Sequence, residues 1–256
     1  MAEPALRIDV LTLFPALFDG FVGESILSRA IARGLVEVRL WDLRDWAEGK
    51  HRQVDDRPFG GGPGMVLMAP PVVSAVEAIQ GQGENPGRLI ALTPSGQTLS
   101  QNLVRALAAE RRLVLLCGRY EGFDERIFEI LEPELLSIGD YVLSGGEVAA
   151  MVVIDAVMRL IPGALGDEQS AVDESFGPEG GLEHPHYTRP REYRGKSVPE
   201  ILLGGDHAAI GRWRRAQGRA RTIDRRGDLV SPEPEPPTEP TRKRRKSPPH
   251  TNVEHE

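Results

Sequence analysis

The sequence predicts an α/β protein with a mainly parallel sheet, followed by a small helical domain. Three observations carry this expectation. Between residues 7 and 160, short runs rich in Ile, Val and Leu alternate with segments of helical spacing, the pattern of a parallel sheet with crossover helices. After Pro162 the composition turns to Gly, Asp and Glu. Beyond residue 182 the chain is short, polar and dense in Arg.

The elements follow in order. Residues 7–14 alternate and read as a strand. Residues 25–33 have helical spacing and stop at Gly34, a residue suited to the position after a helix end. Residues 36–43 return to strand character, and 44–68 are polar, then Gly- and Pro-rich. A loop of that length inside a compact domain is functional or disordered. Residues 71–79 predict a helix, 88–92 a short buried strand, and 99–110 a helix with Thr98 as N-cap and Gln101 completing a capping box. Residues 113–117 form a continuous apolar strand, and 124–131 a helix. The stretch 137–147 reads as loop, strand, loop, with Ser144 and Glu147 capping the apolar helix 146–160, which Pro162 ends. The expected division is a sheet domain at 1–162, a linker at 163–181, a helical domain at 182–230 and a tail at 231–256. The tail is rich in Pro, Glu, Lys and Arg, cannot bury a core, and is expected to be disordered.

Composition narrows the function classes. Of 256 residues, 40% are hydrophobic and 27% charged, ordinary for a globular protein. No run of eighteen apolar residues occurs, so no membrane span is expected. The N-terminal stretch MAEPALRIDVLTLFP lacks a basic region and predicts no signal peptide. A single cysteine, Cys117, excludes an intrachain disulfide and fits a cytoplasmic protein. The net charge of −7 argues against indiscriminate coating of nucleic acid, while leaving room for RNA binding through a local basic patch.

Five segments carry chemistry. In VDDRPFGGGPGM (54–65), consecutive glycines let the backbone approach a ligand and flanking prolines limit its mobility. With Asp55, Arg57 and Gly62 this loop is a candidate cover for a bound base or cofactor; an exposed turn is the alternative. CGRYEGFDER (117–126) runs from a buried strand through Gly118 and Gly122 into a helix, where parallel sheets bind ligands, and Glu121 offers an acceptor. Cys117 reads as a small buried hydrophobe. SIGDYVLSGGE (137–147) offers an apolar wall and amides that could read an adenine edge. In HPHYTRP (184–190) no cysteine or third histidine completes a zinc site, so His186, Tyr187 and Arg189 suit stacking and phosphate contact on RNA. Residues 207–225, with HAAIGRWR at their start, hold Arg212, Arg214 and Arg215 around Trp213, a candidate RNA-backbone patch. Arg159 is a lone cation on an apolar helix and reads as a salt bridge or a catalytic cation.

In this order and spacing, the five segments resemble the bacterial tRNA (guanine-N1)-methyltransferases, over residues 7–226. The resemblance implies a deep trefoil knot in the C-terminal half of the sheet domain, a homodimer with each active site at the subunit interface, and S-adenosylmethionine bound bent in the knot. It maps the cofactor to Leu92, Thr93 and Pro94, to Gly118 and Glu121, and to Ile138, Gly139, Tyr141, Leu143, Gly145 and Gly146. The implied reaction methylates N1 of the guanine 3′ of the anticodon, position 37. That nitrogen must first lose its proton to a base, and Arg159 matches the family's arginine for charge on O6. Mg²⁺ is also implied, although no ligand cage is visible. The family's linker has Asp-Ser-Phe with the aspartate as base; here Glu174 takes that place, after Asp173, so either carboxylate is a candidate. The family's helical domain continues past residue 226, where this chain turns to a Pro-rich tail. Two rival readings remain from residues alone: a knotted methyltransferase for another RNA base or ribose, and a non-catalytic RNA-binding homologue.

Overall fold

In the computed structural model the described residues are 4–83, 85–166, 174–177 and 180–230. The tail 231–256 and residues 167–173 and 178–179 of the expected linker, Asp173 among them, lie outside the described residues. The chain divides into two compact units, Met1–Glu183 and His184–Glu256.

In the first unit, β1 (Leu6–Thr12) leads through a 3-10 turn (Pro15–Phe18) into α1 (Asp19–Gly23) and α2 (Ser25–Ala32). Gly34 follows α2 at φ +70°, the left-handed conformation that lets the chain leave the helix. β2 (Val36–Asp42) comes next, then a small ribbon of β3 (Asp55–Asp56) and β4 (Val66–Leu67). The unit continues with α3 (Ala69–Gln80), β5 (Arg88–Thr98), α4 (Gln101–Ala108), β6 (Arg112–Cys117), α5 (Arg126–Leu131), β7 (Glu134–Ser137) and α6 (Gly146–Met158).

Five strands form one sheet in the order β2-β1-β6-β5-β7, and every pairing in it is parallel. Side-chain alternation feeds both faces. Leu6, Ile8 and Val10 of β1 and Leu113, Leu115 and Cys117 of β6 pack with α2, α4 and α6. Leu11, Val114 and Leu116 point the other way, into a second core with α3 and α5. All six residues of β6 are buried: 113–117 form the continuous apolar run, and Arg112 before them is held by buried Asp9, to which its Nε donates at 2.9 Å.

Parallel pairing brings the carboxyl ends of β5, β6 and β7 to one edge. β5 meets Leu136 of β7 twice, through Leu92 and again through Gln97, so residues 93–96 leave the ladder and rejoin it. Gly96 permits the return, because a Cβ there would collide with the Leu135–Leu136 backbone. Thr93 and Pro94 lie in that excursion.

Several expectations are corrected. The 44–68 loop contains a 3-10 turn (Leu43–Trp46) and the antiparallel β3–β4 ribbon. β5 continues to Thr98, so the N-cap of α4 is Ser100, whose Oγ accepts from Leu103 N at 3.3 Å. The strand expected within 137–147 lies earlier, at β7; residues 138–145 are a loop. Ser144 does not cap α6: Gly145 occupies the cap without a side-chain bond, and Glu147 points into the protein instead. Short α1 was not expected from the pattern, since five residues carry too little periodicity to register.

The second unit contains a two-stranded ribbon, β8 (Glu192–Tyr193) with β9 (Lys196–Ser197), a 3-10 turn (Glu200–Leu203) and the long α7 (His207–Arg225). Asp206 caps α7, accepting from Ala209 N at 2.9 Å. No helix among the described residues is long and apolar enough to cross a membrane.

Candidate active site

The strand ends open into a cleft of about 450 Å³. All eleven residues singled out for a cofactor line it: Leu92, Thr93, Pro94, Gly118, Glu121, Ile138, Gly139, Tyr141, Leu143, Gly145 and Gly146. They come from three connections distant in sequence, gathered because the strands preceding them are neighbours in one parallel sheet. The segment after β7 returns to the end of β6, where Gly146 N donates to Gly118 O at 2.8 Å and Arg119 bridges to Gly145. This close approach requires glycine: a Cβ at Gly146 would stand 2.8 Å from Cys117 Cα.

Arg119 of the cleft wall belongs to a polar cluster, reaching behind that wall, that spacing did not reveal. Glu147, only 1% exposed, accepts from Thr12 Oγ1 at 2.8 Å. Arg119 Nε lies 2.8 Å from Glu147 Oε2 without an aligned hydrogen bond, so this contact is Coulombic rather than directional. Arg119 also donates to Ser144 O at 3.2 Å, and its guanidinium sits 4.6 Å from the Phe14 ring centroid. It thereby ties the returning loop to the end of β1. The partners are up to 135 residues apart; the one available signal was an acidic residue in the first turn of an apolar helix, and that was read as a cap. Cys117, beside this cluster, has its thiol pushed well above the ordinary value, by burial first and by the Glu147 charge second.

The glycine-rich loop meets the cleft at one end. Glu121 N donates to Met65 O, Leu67 N to Gly122 O and Asp124 N to Leu67 O, at 2.9–3.0 Å. Gly64, at φ +85°, presses on Glu121 so closely that a Cβ would overlap the carboxylate. Farther along, Asp55 is half-buried in β3 while Arg57 and Gly62 are exposed, and none of the three lines the cleft. Phe59, at the loop tip, is fully exposed.

Arg159 and Glu174 do not line the cleft either. They pair with each other: Arg159 Nη1 donates to Glu174 Oε2 at 2.9 Å, and Nη2 to Oε1. The hydrogen bond to Glu174 raises the Arg159 guanidinium further above its already high value. Arg159 caps the carboxyl end of α6, whereas Gly146 of the cleft begins that helix. At 1.5 Å per residue the two ends are about 20 Å apart.

In the second unit, His186, Arg189 and Arg214 line a separate pocket, together with Arg191, which sequence reasoning passed over. Arg212 and Arg215 are exposed on α7 and do not line it. The His184 and His186 rings stand 4.6 Å apart.

Comparison with known proteins closes the question of kinship. The family model described as tRNA (Guanine-1)-methyltransferase TrmD matches residues 6–232. The chain belongs to this methyltransferase family. A relative named tRNA (guanine-N(1)-)-methyltransferase from Rhodopirellula baltica is 59% identical over 227 residues, covering 88% of this chain and 94% of its own. Relatives of the same name from Thermomicrobium roseum and Geobacillus kaustophilus are 54% and 50% identical, with 88% and 90% of this chain and 84% and 93% of theirs covered. For a member of the tRNA (guanine-1)-methyltransferase family, the cleft has suitable chemistry: an apolar wall for a purine, backbone groups at its glycines for the purine edge, and the exposed carboxylate of Glu121 for an ammonium or ribose hydroxyl.

Proposed function

We propose that this chain transfers a methyl group from S-adenosylmethionine to N1 of the guanine at tRNA position 37, next to the anticodon. The observation that carries the reading is the convergence, in one cleft at the sheet edge, of three glycine-bearing connections within a chain of this family.

When bound, S-adenosylmethionine supplies an electrophilic methyl group on a cationic sulfur. Residues of the chain do the rest. Leu92, Ile138 and Leu143 offer the apolar wall for the adenine, and the loop amides its polar edge. Glu121 orients the polar end. Guanine presents O6, an acceptor, beside N1–H, a donor. The Arg159–Glu174 pair presents the complementary donor and acceptor, so the guanine edge can replace one of its two bonds. Arg159 then donates to O6, where negative charge develops, and Glu174 takes the N1 proton. Asp173 is the neighbouring carboxylate and the alternative base. Glu121 and Glu125 are the carboxylates on the cleft wall; Mg²⁺, which retains most of its waters, would need only one or two such ligands, and no step is assigned to it.

The active form is a homodimer in this reading. Transfer needs reacting atoms about 3–3.5 Å apart, while one chain holds its base and its cleft at opposite ends of α6. A second copy supplying Arg159 and Glu174 to the first chain's cleft resolves the mismatch. Val148 and Val152, exposed one turn apart on a helix most of whose residues are buried, give that copy an apolar surface. The return of residues 138–146 across the end of β6 suits a trefoil knot threaded at α6. Asp55, Arg57 and Gly62 on the glycine loop, with the arginines of the second unit, would hold the tRNA, and the reaction is expected in the cytoplasm.

The test is turnover of labelled S-adenosylmethionine on unmodified tRNA, followed by mass spectrometry of the nucleosides. 1-Methylguanosine at position 37, absent when that position is adenine, is the expected result. A ribose-methylated product, or none, overturns the reading.

A further inference from the structure

The second unit carries charge of opposite sign to the chain as a whole. Residues 184–230 hold eleven Arg and Lys against five Asp and Glu, in a chain of net charge −7. Its pocket, about 380 Å³, is of a size that takes small ligands. Three guanidinium side chains, Arg189, Arg191 and Arg214, share that pocket with Tyr187 and with apolar side chains including Leu202 and Ile210. None of the three arginines has an ion-pair partner among the described residues. Tyr187 is supported by Trp213 at 6.4 Å yet remains about half exposed. A flat basic patch would serve a phosphate backbone alone. Unpaired cations around a concave, partly apolar and aromatic surface suit a phosphate together with the base attached to it.

We propose that this pocket holds one unstacked nucleotide of the tRNA, its base against Tyr187, Leu202 and Ile210 and its phosphate on Arg189, Arg191 and Arg214. The proposal rests on the tRNA-methylating reading above and adds a second place where the RNA is gripped by a single nucleotide. Held there, the RNA has its register fixed by a contact additional to that of the methylated base.

A double-mutant cycle on the full-length protein tests it. Binding of an anticodon stem-loop RNA is measured for the wild type, Tyr187→Ala and Arg191→Gln, with each loop nucleotide in turn made abasic. At one position the abasic change should weaken wild-type binding about tenfold and leave Tyr187→Ala unaffected. Arg191→Gln should lower the salt slope by about one, and Tyr187→Ala should leave it unchanged. Tyr187→Leu, which keeps apolar bulk, replaces the alanine variant if that one unfolds. Additive losses at every loop position, or an unchanged salt slope in Arg191→Gln, overturn the proposal. Failure of the wild type to methylate any tRNA overturns the underlying reading instead.

Discussion

Arg159 and Glu174 grip one another through both guanidinium terminal nitrogens and both carboxylate oxygens, fifteen residues apart across the end of α6. A forked pair of this kind fixes the position and orientation of the carboxylate. Glu174→Gln keeps the size but removes the basicity, so kcat should fall about 10²–10⁴-fold while S-adenosylmethionine affinity stays the same. Asp173→Asn should lose far less. Rapid-quench turnover and calorimetric cofactor binding separate the two effects. A larger loss in Asp173→Asn would transfer the base role to Asp173 and leave Glu174 as an anchor for Arg159.

The glycine loop offers a controlled comparison. Gly64 and Gly62 both sit at positive φ, so alanine strains the backbone at either. Only at Gly64 would the new methyl group meet Glu121; at Gly62 nothing lies within 4 Å. Gly64→Ala should therefore weaken S-adenosylmethionine binding about tenfold or more, and Gly62→Ala should change it little, since strain of about 1–3 kcal/mol at Gly62 has no route to the cleft. Equal losses in both variants would mean that loop strain, not the Glu121 contact, governs the cofactor site.

Glu147 is a buried carboxylate whose stability rests on Thr12 and Arg119. Replacing it by Ala leaves Arg119 beside a cavity and without its countercharge, and a broken buried pair costs about 3 kcal/mol. Thr12→Val removes one hydrogen bond and should cost about 1 kcal/mol. Urea unfolding of the two variants measures the difference; similar midpoints would show that the Arg119 contact contributes nothing.

Cys117 gives a simple chemical readout. Burial and the Glu147 charge both favour the neutral thiol, and only the thiolate is nucleophilic. Between pH 7 and 9 the folded protein should not react with a disulfide reagent, and unfolding in guanidinium should release one reactive group.

Element types in the first unit were legible because its sheet is buried on both faces: residues 113–117 of β6 form an unbroken apolar run, and α2 shows its Gly34 stop plainly. What escaped is what depends on distance. The Glu147–Thr12–Arg119 cluster was misread as a helix cap, because a local motif and a contact 135 residues away use the same acidic residue. The β7 strand was placed too late, since Glu134–Ser137 is short and Ile138, Val142 and Leu143 look more strand-like than they are. Gly118, Glu121 and the 137–147 segment stood out from the residues themselves, but the full set of eleven cleft residues, Leu92, Thr93 and Pro94 above all, came from family resemblance. Arg191 went unremarked because it lies just past the HPHYTRP segment; the fold of the second unit sets it, with Arg189, beside Arg214 of α7.

The separation of Arg159 and Glu174 from the cleft makes a last prediction about assembly. The proposed two-fold dimer would have two equivalent sites, each drawing its cleft from one chain and its base from the other. Glu121→Ala damages the first component and Glu174→Gln the second, so each homodimer should be inactive. Mixing them after reversible unfolding yields about half heterodimers by random pairing. In each of these, one site inherits both damaged parts and the other inherits none. Activity should therefore return to about a quarter of the wild-type rate per chain, and it should fall on dilution below the dimer dissociation constant. If each chain completed its own site, every site in the mixture would still carry one defect, and no activity would return at any ratio.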